Sequence, residues 1–242
     1  MCDFILALKL IKNKFMNSFK IFALITVFTL IVSCDSKPNN KVISKVSYRT
    51  IPEKVAFYYG ISQFEKIKTI EFNFNVEKSN RHNIRHWKWN PKTNDVSLFL
   101  DNKTIEFVHN NCKSNEEIEL DKKFTNDSYW LLFPYHLFWD KDNYEYNISQ
   151  NIISPLLKKK STKMIVSYIN GDGYTPNDIY ELYLNESNEI IEWIYRKNGS
   201  INPTKMTTWE NIVDIKGVKM SILHNSRTAN FKLWFDSINI EY

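Results

Sequence analysis

The sequence predicts a mainly β fold, in which a curled antiparallel sheet forms a partly closed barrel and two helices cover its open side. Apolar and polar residues alternate over many short stretches, and those in the second half are separated by compact polar turns. Parallel pairing would need crossovers of about a dozen residues or more, so the pairing is predicted to be antiparallel. An open sheet of about nine or more strands tends to curl. A β-sandwich is the alternative architecture.

The first predicted element is an amphipathic helix that begins at Pro52 and extends to about Lys66. Proline is favoured in the first turn of a helix, where its missing N–H costs nothing. Apolar residues, among them Val55 and Phe64, recur at helical spacing. Gly60 weakens the prediction because glycine is a poor helix former.

The next segments have the alternation of strands. Residues 70–76 alternate apolar and polar side chains, which is typical of a strand with one solvated face. Residues 81–89 and 96–100 flank the polar, proline-containing segment 90–95. This arrangement predicts a hairpin.

The second predicted helix is the dense apolar run from Asn126 to Trp139. Asn126 or Asp127 is suited to cap its first turn. The run has too few polar residues for a solvated face over its full length. Pro134 is expected to break or kink the helix.

The remaining residues predict a meander of short strands. These are residues 144–148, 163–168, 179–184, 189–197, 206–213, 218–224 and 231–240. In the last strand, the apolar side chains of residues 231–235 have one parity and those of residues 238–240 have the other. We therefore expect a β-bulge near Asp236 and Ser237.

The first 33 residues are predicted to be a cleaved signal peptide. Basic residues precede an uncharged apolar run from Ile21 to Val32, which is the order of such signals. The run is shorter than the roughly 20 apolar residues of a membrane-spanning helix. Met16 offers an alternative start that gives a more typical signal.

The end of this run, Ile31-Val32-Ser33-Cys34, is similar to the lipobox of bacterial lipoproteins. The resemblance implies cleavage before Cys34 and a diacylglycerol on its sulfur. Residues 34–50 are then a tether and residues 51–242 a single domain. The expected location is the bacterial envelope, in the outer membrane facing the periplasm or the cell surface. A plain secretory signal with an accidental cysteine, or a retained anchor helix, are the alternatives.

Charge and cysteine content limit the partners. Four of the 32 Lys and Arg residues and one of the 27 Asp and Glu residues precede Cys34, so the rest of the chain carries a net charge of +2. A nearly neutral domain gives no electrostatic basis for nucleic-acid binding. After cleavage Cys112 is the one other cysteine, and it is predicted to be a buried thiol, with a reactive or metal-binding thiol as the alternative.

Two resemblances extend to the domain. The order of elements resembles the half-barrel of the lipoprotein-carrier family, the periplasmic and outer-membrane localisation factors, and related lipid-binding lipoproteins. Four segments look like a family of uncharacterised envelope lipoproteins of Gram-negative bacteria: Phe124–Pro134, Gly173–Tyr180, Glu192–Arg196 and Thr208–Glu210. That family often has further glycines where this chain has Asp172 and Asn177. The resemblance implies fold and location, and it supplies no catalytic residues.

The aromatic content suggests what the concave side of the sheet does. The chain has 7 Trp, 13 Tyr and 16 Phe residues, and such rings either fill a core or line an apolar cavity. We predict a non-catalytic module that binds an acyl chain or another hydrophobic ligand. The candidate ligand-binding residues are Trp87, Trp89, Tyr129, Trp130, Phe133, Trp139, Trp193 and Trp209. Plain core packing and a sugar-stacking platform are the alternatives.

No cofactor, metal or catalytic residue is predicted. His82 and His86 have no acidic residue or cysteine near them in the sequence, so they are expected to be solvated. A structural or interaction lipoprotein with a filled core remains open, as does an envelope hydrolase. The hydrolase needs converging carboxylates, for which Glu181 and Glu192 are the candidates, although an offset on a solvated face is favoured.

Overall fold

The computed structural model describes residues 49–169, 177–227 and 230–242. Cys34, the signal peptide and the tether up to residue 48 lie outside the described residues. So do residues 173–176 of the glycine-containing segment quoted above. The predictions for them are not tested by the structure.

The described residues form three helices and twelve strands. The helices are α1 Ile51–Tyr59, α2 Ile61–Phe64 and α3 Asn115–Trp139. The first six strands are β1 Thr69–Lys78, β2 Arg81–Trp89, β3 Asp95–Leu100, β4 Lys103–Val108, β5 Tyr144–Ile153 and β6 Lys160–Tyr168. The others are β7 Ile179–Leu184, β8 Ile190–Arg196, β9 Lys205–Thr208, β10 Glu210–Ile215, β11 Val218–Asn225 and β12 Phe231–Glu241.

The strands form two antiparallel sheets that meet at one point. One sheet has the order β10-β11-β12-β1-β2-β3-β4, and the other has the order β5-β6-β7-β8-β9. Trp209 lies between β9 and β10 and donates its backbone N–H to the carbonyl of Ile191. The Thr208 hydroxyl bonds the backbone of Asn225 on β11. The described strands thus form a curled layer that does not close, which confirms the predicted fold class.

Most strands match the sequence prediction. The hairpin of β2 and β3 is present, as is the meander after α3. The prediction missed β4, and it read one strand where the chain passes from β9 to β10 at Trp209. The predicted bulge is confirmed: β1 slips against β12 between Glu71 and Asn73, opposite residues 236–239, and Ser237 has a φ of 53°.

The prediction of one continuous helix up to Lys66 is wrong, because the helix divides at Gly60. Gly60 has a φ of 94° and ends α1 in the left-handed conformation, which glycine adopts at little cost. At the other end Thr50 accepts a hydrogen bond from the amide of Glu53, whose carboxylate bonds the Thr50 amide in return. This capping box sets the start of α1.

The prediction for the second helix is wrong about where the helix begins, and the helix does not break at Pro134. Helix α3 begins after Ser114, whose hydroxyl accepts a hydrogen bond from the amide of Glu117 at 3.2 Å. Pro134 lies inside the helix without ending it. A proline costs about 3 kcal/mol in a helix interior. Residues 130–135 are all buried, and burying each large apolar side chain returns about 1.5–3 kcal/mol.

Helix α3 and the shorter helices cover the concave face of the sheet. The core between them contains fully buried aromatic side chains such as Phe72, Trp87, Phe124 and Phe133. The Tyr135 hydroxyl ties α3 to its neighbours by donating to the carbonyls of Tyr59 and Lys219. Within the described ranges, no helix is long and apolar enough to cross a membrane.

Candidate functional site

Two clefts adjoin α3 on the concave side. The first has a volume of about 420 Å³ and is lined by α2, the end of β2 and the second half of α3. The second has a volume of about 450 Å³ and is lined by α3 and by the sheet from β2 to β7 through β1, β12, β9 and β8. Thr125 and Tyr129 line both clefts, so the two spaces flank these residues.

The wall of the second cleft contains stacked indole rings. The rings of Trp130 and Trp193 lie 4.8 Å apart at an angle of 26°, and Trp209 stacks behind Trp193 at 5.2 Å. Tyr180 meets Trp193 edge to face at 5.1 Å. The ring of Phe231 lies 6.2 Å from that of Trp130. The wall is therefore apolar and held rigidly by ring contacts.

Strand alternation explains why these rings meet. Side chains on a strand point alternately to its two faces, so Tyr180 shares the concave face with Leu182 on β7. On β8 the same parity places Trp193 and Tyr195 on that face, and the register pairs Tyr180 with Tyr195. The position of each ring follows from the hairpin between β7 and β8.

A buried ion pair supports the cleft at its junction with α3. Arg85 donates from Nε and Nη2 to the two oxygens of Asp127 at 2.5 and 2.7 Å, and the indole N–H of Trp87 donates to the same carboxylate at 2.9 Å. Burial raises the pKa of Asp127, and the Arg85 guanidinium opposes this shift. The pair joins β2 to α3 across the sheet–helix interface.

Two polar side chains that line the second cleft have unused hydrogen-bonding capacity. Among the described residues, the indole N–H of Trp193 and the hydroxyl of Thr125 have no hydrogen-bond partner, and both atoms are buried. Native proteins pair nearly all such groups with protein or water. Both residues line the second cleft, so a ligand or a water molecule there has a donor to meet.

The structure divides the eight predicted ligand-binding residues into four groups. Trp89 and Trp139 line the first cleft, Trp130 and Trp193 line the second, and Tyr129 lines both. Trp87, Phe133 and Trp209 line neither cleft and are buried in the core. In the core these residues pack against the rings that line the clefts, as Trp209 does against Trp193.

The structure also shows cleft residues that the sequence reasoning missed. They are Arg85, Tyr180, Lys205 and Phe231. The parity of Tyr180 and Phe231 with their apolar neighbours was a usable signal, because it places them on the buried face. No sequence pattern indicates that Arg85 and Lys205 approach the same cavity, since their strands, β2 and β9, are far apart in the sequence and belong to different sheets.

The candidate carboxylates of the hydrolase alternative do not converge. Glu181 is held by Lys163 and Arg196 in ion pairs of 2.6 Å, which keep its pKa below the usual value against the effect of burial. Glu192 accepts the backbone N–H groups of Leu156 and Leu157. Both carboxylates lie on the convex face, offset as predicted, but the expectation that this face is solvated there is wrong.

The end of β5 and the segment that follows it explain why the two glutamates are buried. Leu157 and Ile152 pack over Tyr183, Ile191 and Ile194 on the convex face. This small apolar cluster covers the two glutamates from outside. Neither carboxylate reaches the clefts on the other face of the sheet.

The first cleft is flanked by two histidine–carboxylate pairs. His109 bonds Asp121 at 2.6 Å and His136 bonds Asp140 at 2.9 Å, in each case through Nδ1. Both histidines line the cleft. The described parts of the chain contain no group of three or more His, Cys, Asp or Glu side chains arranged to hold a metal ion.

The other titratable side chains singled out from the sequence have structural partners. Cys112 is half-buried, its thiol lies 3.7 Å from the carbonyl of Val108, and burial raises its pKa to about 11. Such a thiol is a poor nucleophile. His86 bonds Glu71 of the neighbouring strand at 2.7 Å, so it is solvated only in part.

Solved structures that are similar to this chain include the following two. One is a DUF1329 family protein from Desulfovibrio piger, with a TM-score of 0.45 and 9% identity over 80% of this chain and 94% of that chain. The other is a putative outer membrane lipoprotein-sorting protein domain from Vibrio parahaemolyticus, with a TM-score of 0.42 and 8% identity over 77% of this chain and 93% of that chain. The latter is of the kind that the order of elements resembles. No protein-family model and no curated protein matches the sequence. At these TM-scores the likeness carries no argument about function.

Proposed function

We propose that this chain is a lipid-anchored envelope protein that binds an acyl chain or another hydrophobic molecule in the second cleft, the space between α3 and the aromatic concave face. The observation that carries the proposal is a space of about 450 Å³ whose wall contains stacked aromatic rings. Small-molecule sites typically have volumes of about 300–1,000 Å³ with mainly apolar and aromatic walls and a few polar groups.

The chemistry of the wall supports an apolar ligand. Trp130, Trp193 and Phe231 present ring faces and edges to the space, and an alkyl chain gains about 0.8 kcal/mol for each methylene that leaves water.

The anchor and the location form the second part of the proposal. Cleavage before Cys34 and lipidation of its sulfur hold the domain by the tether close to the outer membrane, facing the periplasm or the cell surface. Two acyl chains give firm membrane attachment, since each buried methylene contributes about 0.8 kcal/mol. A hydrophobic cargo then passes between the cleft and a nearby bilayer over a short distance.

Blocking the cleft tests the binding proposal. Val76 lines the second cleft, so Val76→Trp fills part of it, whereas Ile84→Trp adds the same ring at an exposed position of β2. Binding of a brominated fatty acid is measured by the quenching of tryptophan fluorescence, with thermal melting as the control for folding. We expect the first variant to weaken binding at least tenfold and the second to bind like the unmodified protein. Equal binding by a folded Val76→Trp variant would contradict the proposal.

Replacing the cysteine tests the anchor. Cys34→Ala removes the sulfur that accepts the lipid, and Cys112→Ala removes a thiol that lies within the domain. After cell fractionation we expect the first variant to leave the membrane fraction and the second to remain in it. Membrane retention of the Cys34→Ala variant would contradict lipid anchoring at this residue.

A further inference from the structure

Lysine side chains contribute to the lining of the second cleft. Lys205 at the start of β9 and Lys122 on α3 both line it. The ammonium of Lys205 lies 4.3 Å from the ring centre of Phe231, the first residue of β12. Phe231 pairs in the sheet with Lys78, the last residue of β1. The rings of Trp130 and Trp193 lie farther from these strand ends.

The positive charge of Lys205 is poorly compensated by neighbouring carboxylates. Within the described part of the chain, no carboxylate lies within 4 Å of the Lys205 ammonium. Burial, and then the charge of Lys78, lower its pKa. Both effects disfavour the charged form of the Lys205 side chain, and an anion beside it would offset them.

The carboxylates closest to the cleft are engaged by other groups. Asp178 lines the cleft, but it accepts hydrogen bonds from the Tyr195 hydroxyl at 2.9 Å and the Asn198 amide at 2.8 Å. Asp127 is held by Arg85. Lys122 pairs with Glu119 on the helix surface, where both side chains are well exposed. An exposed pair of this kind is worth little, so Lys122 is free to exchange its partner for a ligand.

We infer that the second cleft selects single-chain amphiphiles with an anionic head, such as a fatty acid carboxylate, and that Lys205 and Lys122 bind this head while the chain lies against the indole rings. The inference rests on the proposed function, because it assigns a head-group site to the same cleft. An amphiphile in this orientation meets charge with charge at the lysines and apolar surface with apolar surface at the rings.

The experiment compares ligands that share a chain and differ in the head. Dissociation constants of dodecanoate and dodecan-1-ol are measured at neutral pH by displacement of a fluorescent fatty acid from the purified protein, with acetate as the head alone. We expect dodecanoate to bind about tenfold or more tightly than the alcohol, which corresponds to one charge-assisted contact. Acetate is expected not to compete, because it lacks the chain.

Matched variants assign the preference to the two lysines. Lys122→Gln/Lys205→Gln should bring the ratio of the two affinities close to one, and Lys122→Arg/Lys205→Arg should keep the preference, with thermal melting as the control for folding. Lys232→Gln is the control, since the Lys232 ammonium lies 4.9 Å from the ring centre of Trp234, outside the cleft. That variant should behave like the unmodified protein.

The outcomes separate the inference from the proposed function. Equal affinity for dodecanoate and dodecan-1-ol, or a preference that persists in the Lys→Gln double variant, overturns the head-group site and leaves hydrophobic binding intact. Failure of both ligands to bind the unmodified protein overturns the proposed function and the inference together.

Discussion

Two buried ionisable side chains hold the interior together at the level of single residues. Asp127 on α3 is fully buried and receives Arg85 and Trp87 from β2. His224 on β11 is fully buried among rings, 4.3 Å from that of Trp209 and 5.5 Å from that of Trp130. Both side chains are buried, and the charge of each depends on its environment. A change at either position should therefore have a measurable effect on stability.

The first prediction concerns the Arg85–Asp127 pair. Arg85→Met leaves the carboxylate of Asp127 buried without its cation, and losing one partner of such a pair typically costs about 3–5 kcal/mol. Because Arg85 is partly exposed, we expect a loss near the lower end, measured by urea unfolding. Arg81→Met, at an exposed position of the same strand, should change the free energy of unfolding by less than about 0.5 kcal/mol. Equal effects would contradict the structural role of the pair.

The second prediction concerns pH. Burial lowers the pKa of His224 from 6.5 to about 3, against the opposing effect of the backbone of Thr208, Trp130 and Ser221. The unfolded chain therefore takes up a proton below pH 6.5 that the folded protein binds only near pH 3. Stability from this group is complete above pH 6.5 and decreases as the pH falls through that window, by up to about 1.4 kcal/mol per pH unit.

The variant His224→Phe isolates this effect, because the other titrating groups are unchanged. The difference in unfolding free energy between the two proteins should be constant above pH 6.5 and should shift in favour of the variant at lower pH. Parallel pH profiles for the two proteins would show that His224 does not titrate as described.

At the scale of elements, local signals explain both the successes and the errors of sequence reasoning. The alternation of β1 and β2 and the parity change of β12 are contained in a few neighbouring residues, and these predictions are confirmed. The start of α3 at Ser114 was missed because the helix opens with a polar, exposed half, and its apolar run begins only later. Pro134 is tolerated because tertiary packing around it outweighs its local cost, and tertiary packing is not encoded in local spacing.

The third prediction concerns the turn between α1 and α2. A Cβ on Gly60 would lie 1.8 Å from the carbonyl oxygen of Gly217, in a backbone conformation that disfavours any side chain. Gly60→Ala should therefore destabilise the protein by about 3 kcal/mol or more, since a clash with backbone adds to the left-handed cost of about 1–2 kcal/mol. The control Gly199→Ala has φ +65° but only ordinary contacts, so it should cost no more than about 2 kcal/mol. A similar thermal shift for both variants would contradict the close approach.

At the scale of the whole molecule, the fold class followed from the sequence, whereas the clefts did not. Strand number, turn composition and aromatic content predict a curled antiparallel sheet with covering helices. They do not determine how far α3 stands from the sheet, and that distance decides which rings pack against each other and which remain accessible. Trp87 and Trp193 are alike in sequence context, yet Trp87 contacts Asp127 in the core and Trp193 lines the open space.

The same limit applies to the charges of the site. Arg85, Lys122 and Lys205 come from β2, α3 and β9, and the folded chain brings them to one cleft. Net charge alone indicated a nearly neutral domain with no electrostatic basis for nucleic-acid binding. These three side chains line the same cleft only because of the way the two sheets and α3 pack together, which the sequence does not show.

The most direct test of the account is to locate a bound acyl chain on the protein. A fatty acid with a photoreactive group near its methyl end is bound and irradiated, and the labelled peptides are identified by mass spectrometry. If the acyl chain binds in the second cleft, the label should be found in α3 and β8, around Trp130 and Trp193, and unlabelled fatty acid should compete with it. Labelling confined to the convex face, around Ile84 and Trp234, or labelling that no competitor reduces, would contradict binding in this cleft.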